Sequence, residues 1–164
     1  MLLYILLPLL LIGLDQAVKH WAAAALQGAG TMPLIQGVFH LTYAENTGAA
    51  FSFLQGGRTF FLIITPLALL MLLVAARKGY FPTRMSRIAL AFIVGGTVGN
   101  FIDRARMGYV VDLFDFRLIN FAIFNVADIA LTVGVGLFIL HTLLYKEPPK
   151  EADHGDTPSD SAAE

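Results

Sequence analysis

The chain has 164 residues and contains no cysteine. This absence excludes disulfide bonds, thiolate metal sites and a cysteine nucleophile, and it leaves the redox compartment open. Charged residues are also scarce, at 14% of the chain, and the net charge is -1. The basic residues form no block interleaved with aromatic residues, so the sequence does not favour nucleic-acid binding.

Apolar residues, in contrast, make up 57% of the chain, which is more than an ordinary soluble domain contains. A hydrocarbon core of about 30 Å requires about 20 mostly apolar residues for each helix that crosses it. A chain of this length therefore accommodates about four such helices with short connections. The sequence predicts an all-α membrane protein with one integral domain over residues 1–146.

Apolar runs at four places fit these transmembrane helices: 2–14 with a weaker continuation to 26, then 59–76, 88–102 and 124–145. A cleaved signal peptide ending near residues 22–24 is an alternative for the first run. Asp15 and Lys19 argue against it, because they interrupt the stretch where the apolar core of a signal peptide should continue.

The orientation follows from the short connection between the second and third runs. It carries a basic cluster, Arg77, Lys78, Arg84 and Arg87. Such clusters mark the cytoplasmic side of a membrane. Both termini are then predicted to be cytoplasmic, and segments 20–58 and 105–123 to face outward. Residues 147–164 are rich in Pro, Asp, Glu and Ser, which predicts a disordered acidic cytoplasmic tail.

The two outward segments contain short stretches, 38–43 and 109–116, in which β-branched and aromatic residues alternate with other residues. This pattern predicts short strands on the outer membrane surface.

Polar residues cluster at the outer ends of the predicted spans. Near the centre of a lipid-exposed helix an Asp or Arg costs at least about 2.5 kcal/mol, so ionisable residues within spans are rarely exposed to lipid. Such residues face a protein interior or a watery cavity, and they are candidates for function. At the helix ends they are Asp15, Lys19, Asn100, Asp103, Arg104, Asn125 and Asp128.

Each of these residues also has a structural interpretation. Asp15 and Lys19, four positions apart, can form an interfacial ion pair that only helps the helix to end. Asp103 can pair with its neighbour Arg104, and Asn125 can cap the fourth helix. Asp128 lies further into that helix, so capping explains it less well.

Asp112 lies in the middle of an apolar strand and on the opposite face from Asp115, which is predicted to be solvated. The topology places Asp112 and Asp128 at the same membrane face. Two adjacent carboxylates cannot both ionise, so they share a proton and supply one base and one acid. This arrangement can hydrolyse a peptide bond without a metal or cofactor. Which aspartate is the base stays open, because a coupled pair titrates as a unit.

The chain resembles the signal peptidase II family, the lipoprotein signal peptidases, throughout except for the acidic tail. Five stretches in the family's order carry the resemblance: Asp15-Gln16-Ala17-Val18-Lys19, Asn46-Thr47-Gly48-Ala49-Ala50-Phe51-Ser52, Gly95-Gly96 through Gly99-Asn100 with Asp103-Arg104, Val111-Asp112 with Phe116, and Phe124-Asn125-Val126-Ala127-Asp128.

The resemblance implies that Asp112 and Asp128 are the catalytic pair. The residues expected to support them or to bind substrate are Asp15, Lys19, Asn46, Gly48, Asn100, Asp103, Arg104 and Asn125. It also implies a four-helix membrane bundle with a small β-cradle and loop on the outer face.

The expected activity is that of an intramembrane aspartyl endopeptidase of the bacterial cytoplasmic (inner) membrane. Such an enzyme cleaves prolipoproteins just before a cysteine that already carries diacylglycerol. Membrane lipids and globomycin-type cyclic peptide inhibitors are the other expected partners. Three aromatic residues of the outer segments, Phe39, Phe51 and Phe53, are predicted to clamp the substrate over the aspartates.

Other functions remain as alternatives. A proton-coupled transporter also places polar residues inside spans, but it usually shows internal repeats and a site at the midplane. A serine peptidase could use Ser52 with His20 or His40, but Ser52 lacks the context of a nucleophile elbow. A purely structural membrane protein leaves the one-sided polar cluster unexplained.

Overall fold

The computed structural model describes residues 2–48 and 54–145. The helices are α1 (Leu3–Leu26), α2 (Arg58–Arg77), α3 (Arg84–Arg106) and α4 (Val126–Leu144), and the strands are β1 (Thr31–Ile35), β2 (Phe39–Asn46) and β3 (Val110–Phe116). All four helices are long and apolar enough to cross a membrane, as predicted. The predicted tail, 147–164, lies outside the described residues.

Local capping decides where the third helix begins. The prediction started it at residue 88, where the apolar run begins, whereas α3 starts at Arg84. The Ser86 N–H donates to Thr83 Oγ1 at 3.2 Å and the Thr83 N–H donates to Ser86 Oγ at 3.1 Å, so the pair forms a reciprocal cap. Hydrophobicity alone does not report such a cap, and the predicted start was therefore four residues late.

α3 packs between α1 and α4 because small residues let the backbones approach. A Cβ atom added at Gly95 would lie 3.0 Å from the Leu11 side chain of α1. A Cβ atom added at Gly134 of α4 would lie 2.8 Å from the Ile93 backbone nitrogen of α3. In contrast, α2 has no buried residue along its length.

The strands form a three-stranded antiparallel sheet in the order β1-β2-β3. The prediction found β2 and β3 but missed β1, whose five residues are all exposed and include Pro33. An exposed edge strand shows no alternation between buried and exposed positions, and proline is tolerated there. β2 also runs on to Asn46, which pairs with Val110 of β3.

One face of the sheet packs against the end of α1. The shared core consists of Ala22, Leu26, Leu41, Val111 and Leu113. This contact brings β3 close to the last turns of α1 and α3 and to the first turn of α4. The polar residues predicted to be functional therefore gather at the end of the bundle that carries the sheet.

The packing predicts different effects on stability for alanine substitutions at two glycines of α4. Gly134→Ala should lower the free energy of unfolding by about 1–3 kcal/mol, because the new methyl group meets the α3 backbone. Gly136→Ala is the matched control, since nothing lies within 4 Å of a Cβ atom there. Thermal unfolding in detergent measures both, and equal effects would contradict the close α3–α4 approach.

Candidate active site

Asn125 and Asp128 form the cap of α4. The Asp128 N–H donates to Asn125 Oδ1 at 3.0 Å, and the Asn125 N–H donates to Asp128 Oδ2 at 3.1 Å. The interpretation of Asn125 as a cap is correct. The expectation that capping explains Asp128 poorly was wrong, because Asp128 is the reciprocal partner at the third helical position. This cap fixes the direction of the Asp128 carboxylate.

The Asp112 carboxylate lies on β3 and is only 3% exposed. Asn125 Nδ2 donates to Asp112 Oδ1 at 2.6 Å, and Asn46 Nδ2 donates to Asp112 Oδ2 at 3.0 Å. Both oxygens are therefore held by neutral amide groups, so the side chain has one defined orientation.

Two asparagine side chains link the aspartates to each other. Asn125 Nδ2 donates to Asn100 Oδ1 at 3.1 Å, and Asn100 Nδ2 donates to Asp128 Oδ1 at 2.8 Å. The structure thus brings Asp112 and Asp128 together through a chain of amides.

Both aspartates line a single cavity of about 460 Å³. Its polar end consists of Asn46, Asn100, Arg104, Asp112 and Asp128, and its apolar wall includes Phe121, Ile123, Phe124, Ile129, Leu131 and Val133. Phe121 was not singled out in the sequence, and Phe124 was named only as part of the stretch 124–128, although both closely precede the cap at Asn125. A cavity with this division suits an extended chain that carries an apolar substituent.

Burial, together with the smaller effect of the nearby charge of Asp128, raises the pKa of Asp112 to about 6. Hydrogen bonds from Asn46 and Asn125 and the charge of Lys19 act in the opposite direction but do not prevail. Asp112 can therefore retain a proton at a pH at which an ordinary carboxyl group has lost it.

Asp115 lies in a different environment, away from the cavity. Arg117 Nε and Thr42 Oγ1 donate to Asp115 Oδ2 at 2.7 and 2.8 Å. Burial acts to raise the pKa of Asp115, but these two partners hold it below its ordinary value. The residue was predicted to be solvated, whereas it is only 8% exposed.

Below the cavity, Lys19 lies between two carboxylates. Lys19 Nζ is 2.9 Å from Asp15 Oδ2 and 2.9 Å from Asp103 Oδ2, and it also donates to Asn100 Oδ1 at 2.8 Å. The Asp15–Lys19 pair considered in the sequence is present, and both of its side chains are buried in the protein. The alternative in which Asp103 pairs with Arg104 is not observed, because Asp103 pairs with Lys19 of α1 instead.

The two carboxylates also bind backbone groups of neighbouring elements. Asp15 Oδ1 accepts a hydrogen bond from the Ala127 N–H of α4 at 2.9 Å, and Asp103 Oδ2 accepts one from the Val111 N–H of β3 at 3.3 Å. Gln16, which was not singled out from the sequence, joins them: its Nε2 donates to Asp103 Oδ1 at 2.9 Å. This cluster positions α1, α3, α4 and β3 relative to one another.

Arg104 occupies the polar end of the cavity. Its Nη2 donates to the carbonyl oxygen of Gly48 at 2.7 Å, and the guanidinium carbon lies 4.3 Å from the centre of the Phe61 ring. Its Nε is buried and has no hydrogen-bond partner among the described residues.

A family model described as signal peptidase (SPase) II matches residues 7–144. The chain belongs to the signal peptidase II family. Its relatives named lipoprotein signal peptidase include one from Brevibacillus brevis, 46% identical over 86% of this chain and 95% of the relative. Another, from Streptococcus thermophilus, is 50% identical over 85% and 90% of the two chains. The expected family, a membrane protease of lipoprotein processing, is thereby confirmed.

Solved structures agree with this assignment. A bacterial membrane enzyme determined at 2.3 Å resolution is 34% identical, with a TM-score of 0.78 over 85% of this chain and 87% of its own. A second bacterial membrane enzyme, at 1.9 Å resolution, gives the same TM-score of 0.78 over 87% of this chain and 94% of its own.

Phe39 and His40, which were considered in the sequence, are not among the described residues that line the cavity of this signal peptidase II fold. Phe39, predicted to clamp substrate, packs inside the sheet with its ring 5.6 Å from that of Phe116. His40 accepts a hydrogen bond from the Gly37 N–H at 3.1 Å, which ties it to the turn before β2. Phe51, Phe53 and Ser52 lie outside the described residues.

The buried ion cluster predicts a large cost for removing its cation. Lys19→Met should lower the free energy of unfolding by about 3–5 kcal/mol, because Asp15 and Asp103 would remain buried without a counter-charge. Lys78→Met, at an exposed position, is the matched control. Thermal unfolding in detergent measures both, and a small effect at Lys19 would show that the cluster does not hold the bundle.

The raised pKa of Asp112 predicts a change of stability with pH. A group whose pKa is higher in the folded state stabilises the protein fully below its unfolded value of 3.8, and this contribution is lost as pH rises through about 6. The stability of the wild type relative to Asp112→Asn should therefore fall by about 2–3 kcal/mol between pH 4 and pH 7. The stability of the wild type relative to Asp115→Asn should instead rise between pH 4 and pH 7, because the pKa of Asp115 is lowered in the folded state.

Proposed function

We propose that the protein is an aspartyl endopeptidase that removes the signal peptide from diacylglyceryl-modified prolipoproteins by cleaving just before the lipidated cysteine. One observation carries the aspartyl mechanism. Asp112 and Asp128 line the same cavity, and each carboxylate oxygen accepts a hydrogen bond from a neutral N–H donor. The proposed catalytic pair is therefore oriented without a salt bridge in the part of the chain that the structure describes.

The reaction needs one ionised and one protonated carboxyl group. The ionised group takes a proton from a water molecule as its oxygen attacks the scissile carbonyl carbon. The protonated group donates a hydrogen bond to the carbonyl oxygen, and a proton then passes to the leaving amine as the C–N bond breaks. The raised pKa of Asp112 supports this mechanism, because it keeps a proton available in the pair.

The remaining polar residues have supporting roles in this proposal. Asn46, Asn100 and Asn125 orient the aspartates through their amides. Arg104 holds Gly48 at the edge of the cavity. Asp15, Lys19 and Asp103 fix the helices below it. No metal or cofactor has a step in the reaction.

The cavity also fits the proposed substrate. Its apolar wall is formed partly by Ile129 and Val133, which are both at least 40% exposed on α4. A diacylated cysteine that stays in the bilayer can reach such a wall laterally, so the peptide need not be extracted into water. Globomycin-type cyclic peptides would compete for the same cavity.

The proposed location is the bacterial cytoplasmic membrane, with both termini in the cytoplasm and the active site at the outer face. The basic connection supports this orientation. α2 begins at Arg58, near the cavity, and ends at Arg77, and α3 returns from Arg84 to the site. The basic cluster therefore lies at the opposite end of the bundle from the aspartates, as the positive-inside rule requires. Residues 1–146 would form the peptidase domain and 147–164 the cytoplasmic tail.

Cleavage of a diacylglyceryl-modified prolipoprotein by the purified protein tests the proposal. Asp112→Asn and Asp128→Asn should each reduce the rate at least roughly 100-fold, because each removes one partner of the acid–base pair. A shift of the lipoprotein band on a gel measures the product, and thermal unfolding checks that the variants remain folded.

Asp115→Asn is the matched control, since it changes a carboxylate of the same strand that lies outside the cavity. It should retain most of the activity. An equal loss at Asp115, or cleavage that survives both active-site substitutions, would rule out the proposed pair.

A further inference from the structure

The first turn of α2 contacts the last turn of α3 through Arg58. Arg58 Nε donates to the Arg104 carbonyl oxygen at 3.1 Å, and Arg58 Nη2 donates to the Ala105 carbonyl oxygen at 3.0 Å. The last carbonyl groups of a helix have no partner within that helix. The Arg104 carbonyl also accepts a hydrogen bond from the Gly108 N–H at 3.2 Å. Arg58 therefore adds to the end of α3 from a neighbouring helix and fixes the backbone that carries Arg104.

Phe61 lies three residues further along α2 and contacts the side chain of the same arginine. The guanidinium carbon of Arg104 lies 4.3 Å from the centre of the Phe61 ring. This is a favourable geometry for a cation–π interaction, in which the ring face attracts the positive charge. Residues three apart on a helix share a face, so Arg58 and Phe61 act on Arg104 together.

Few other contacts determine the position of this guanidinium group. Its Nη2 donates to Gly48 at 2.7 Å, while its Nη1 reaches the Asn100 carbonyl oxygen only at 3.5 Å. Its Nε is buried and has no hydrogen-bond partner among residues 2–48 and 54–145. Within this described part of the chain, loss of the Phe61 ring would leave the group with one short hydrogen bond to hold it in the cavity.

We propose that Arg58 and Phe61 are positioning residues of the active site, which hold the Arg104 guanidinium group at the polar end of the cavity beside Asp112 and Asp128. This inference rests on the proposed peptidase function, and it assigns a role to α2, which buries none of its residues. Neither residue contacts the aspartates, so both act through Arg104.

The expected consequence is electrostatic. A positive charge beside a carboxyl pair favours its ionised form. Among the described residues, Asp15 and Lys19 on α1 and Asp103 on α3 are further charged groups near the pair, and all three are held by the buried cluster. If Arg104 moves away, ionisation of the pair becomes harder. The acidic limb of the pH–rate profile should then move to higher pH.

Steady-state kinetics of prolipoprotein cleavage test this role. Phe61→Leu and Arg58→Gln should each lower kcat roughly three- to tenfold, with a smaller change in KM, and should move the acidic limb upward. Phe61→Tyr, which keeps an aromatic face, should retain both kcat and the position of the limb. Arg106→Gln is a matched control at an exposed position and should leave both unchanged.

A double-mutant cycle separates positioning from a general structural effect. In an Arg104→Gln background, Phe61→Leu should have almost no further effect on kcat, because the group that it positions is absent. The inference is overturned if Phe61→Leu has the same effect in both backgrounds, or if it lowers kcat without moving the acidic limb.

The wild type, Phe61→Leu, Arg104→Gln and the double variant also give a double-mutant cycle that does not depend on activity. Their thermal unfolding should show a coupling between Phe61 and Arg104, and additive effects would overturn the contact itself. A wild-type protein that fails to cleave the lipidated substrate refutes the proposed function instead. The unfolding cycle then still decides whether Phe61 holds Arg104.

Discussion

The rest of this structure depends on the ion pairs that the Lys19 ammonium group makes with two buried carboxylates. The ammonium group binds carboxylates from α1 and α3, and those carboxylates in turn bind the backbone of α4 and β3. A buried charge of this kind is tolerated only when its partners are complete. The elements that carry Asn100, Asp112 and Asp128 can therefore meet in only one relative arrangement.

The protein uses aspartate in two different ways a few ångströms apart. Asp15 and Asp103 are paired with a cation, so their negative charge is neutralised locally. Asp112 and Asp128 form no ion pair in the part of the chain that the structure describes, and they are held by amides instead. An amide fixes the orientation of a carboxyl group in either protonation state, whereas a cation favours only the ionised form. The chemistry of the partners, and not the residue type, separates the structural aspartates from the proposed catalytic ones.

The sequence was sufficient to predict features that depend on local pattern. The length of the apolar runs predicted the four helices, and the alternation of residue types predicted β2 and β3. The spacing of Asp15 and Lys19 predicted their ion pair. Features that depend on which helices meet were missed or wrong. The partner of Asp103 lies on another helix and not at the next residue, because the glycines of α3 bring α1 close enough. β1 carries no periodic signal, since all its residues are exposed.

The amide chain between the aspartates has a direction. Asn100 accepts hydrogen bonds from Lys19 and Asn125 at its oxygen, so its donor side must face Asp128. Asp128 also sits at the N-terminus of α4, where the helix dipole attracts negative charge, whereas Asp112 lies on a strand with no such field. The two aspartates are therefore not equivalent, in contrast to a pair related by molecular symmetry. Before any substrate arrives, the two carboxyl groups therefore present different surroundings to it, one at the N-terminus of a helix and one on a strand.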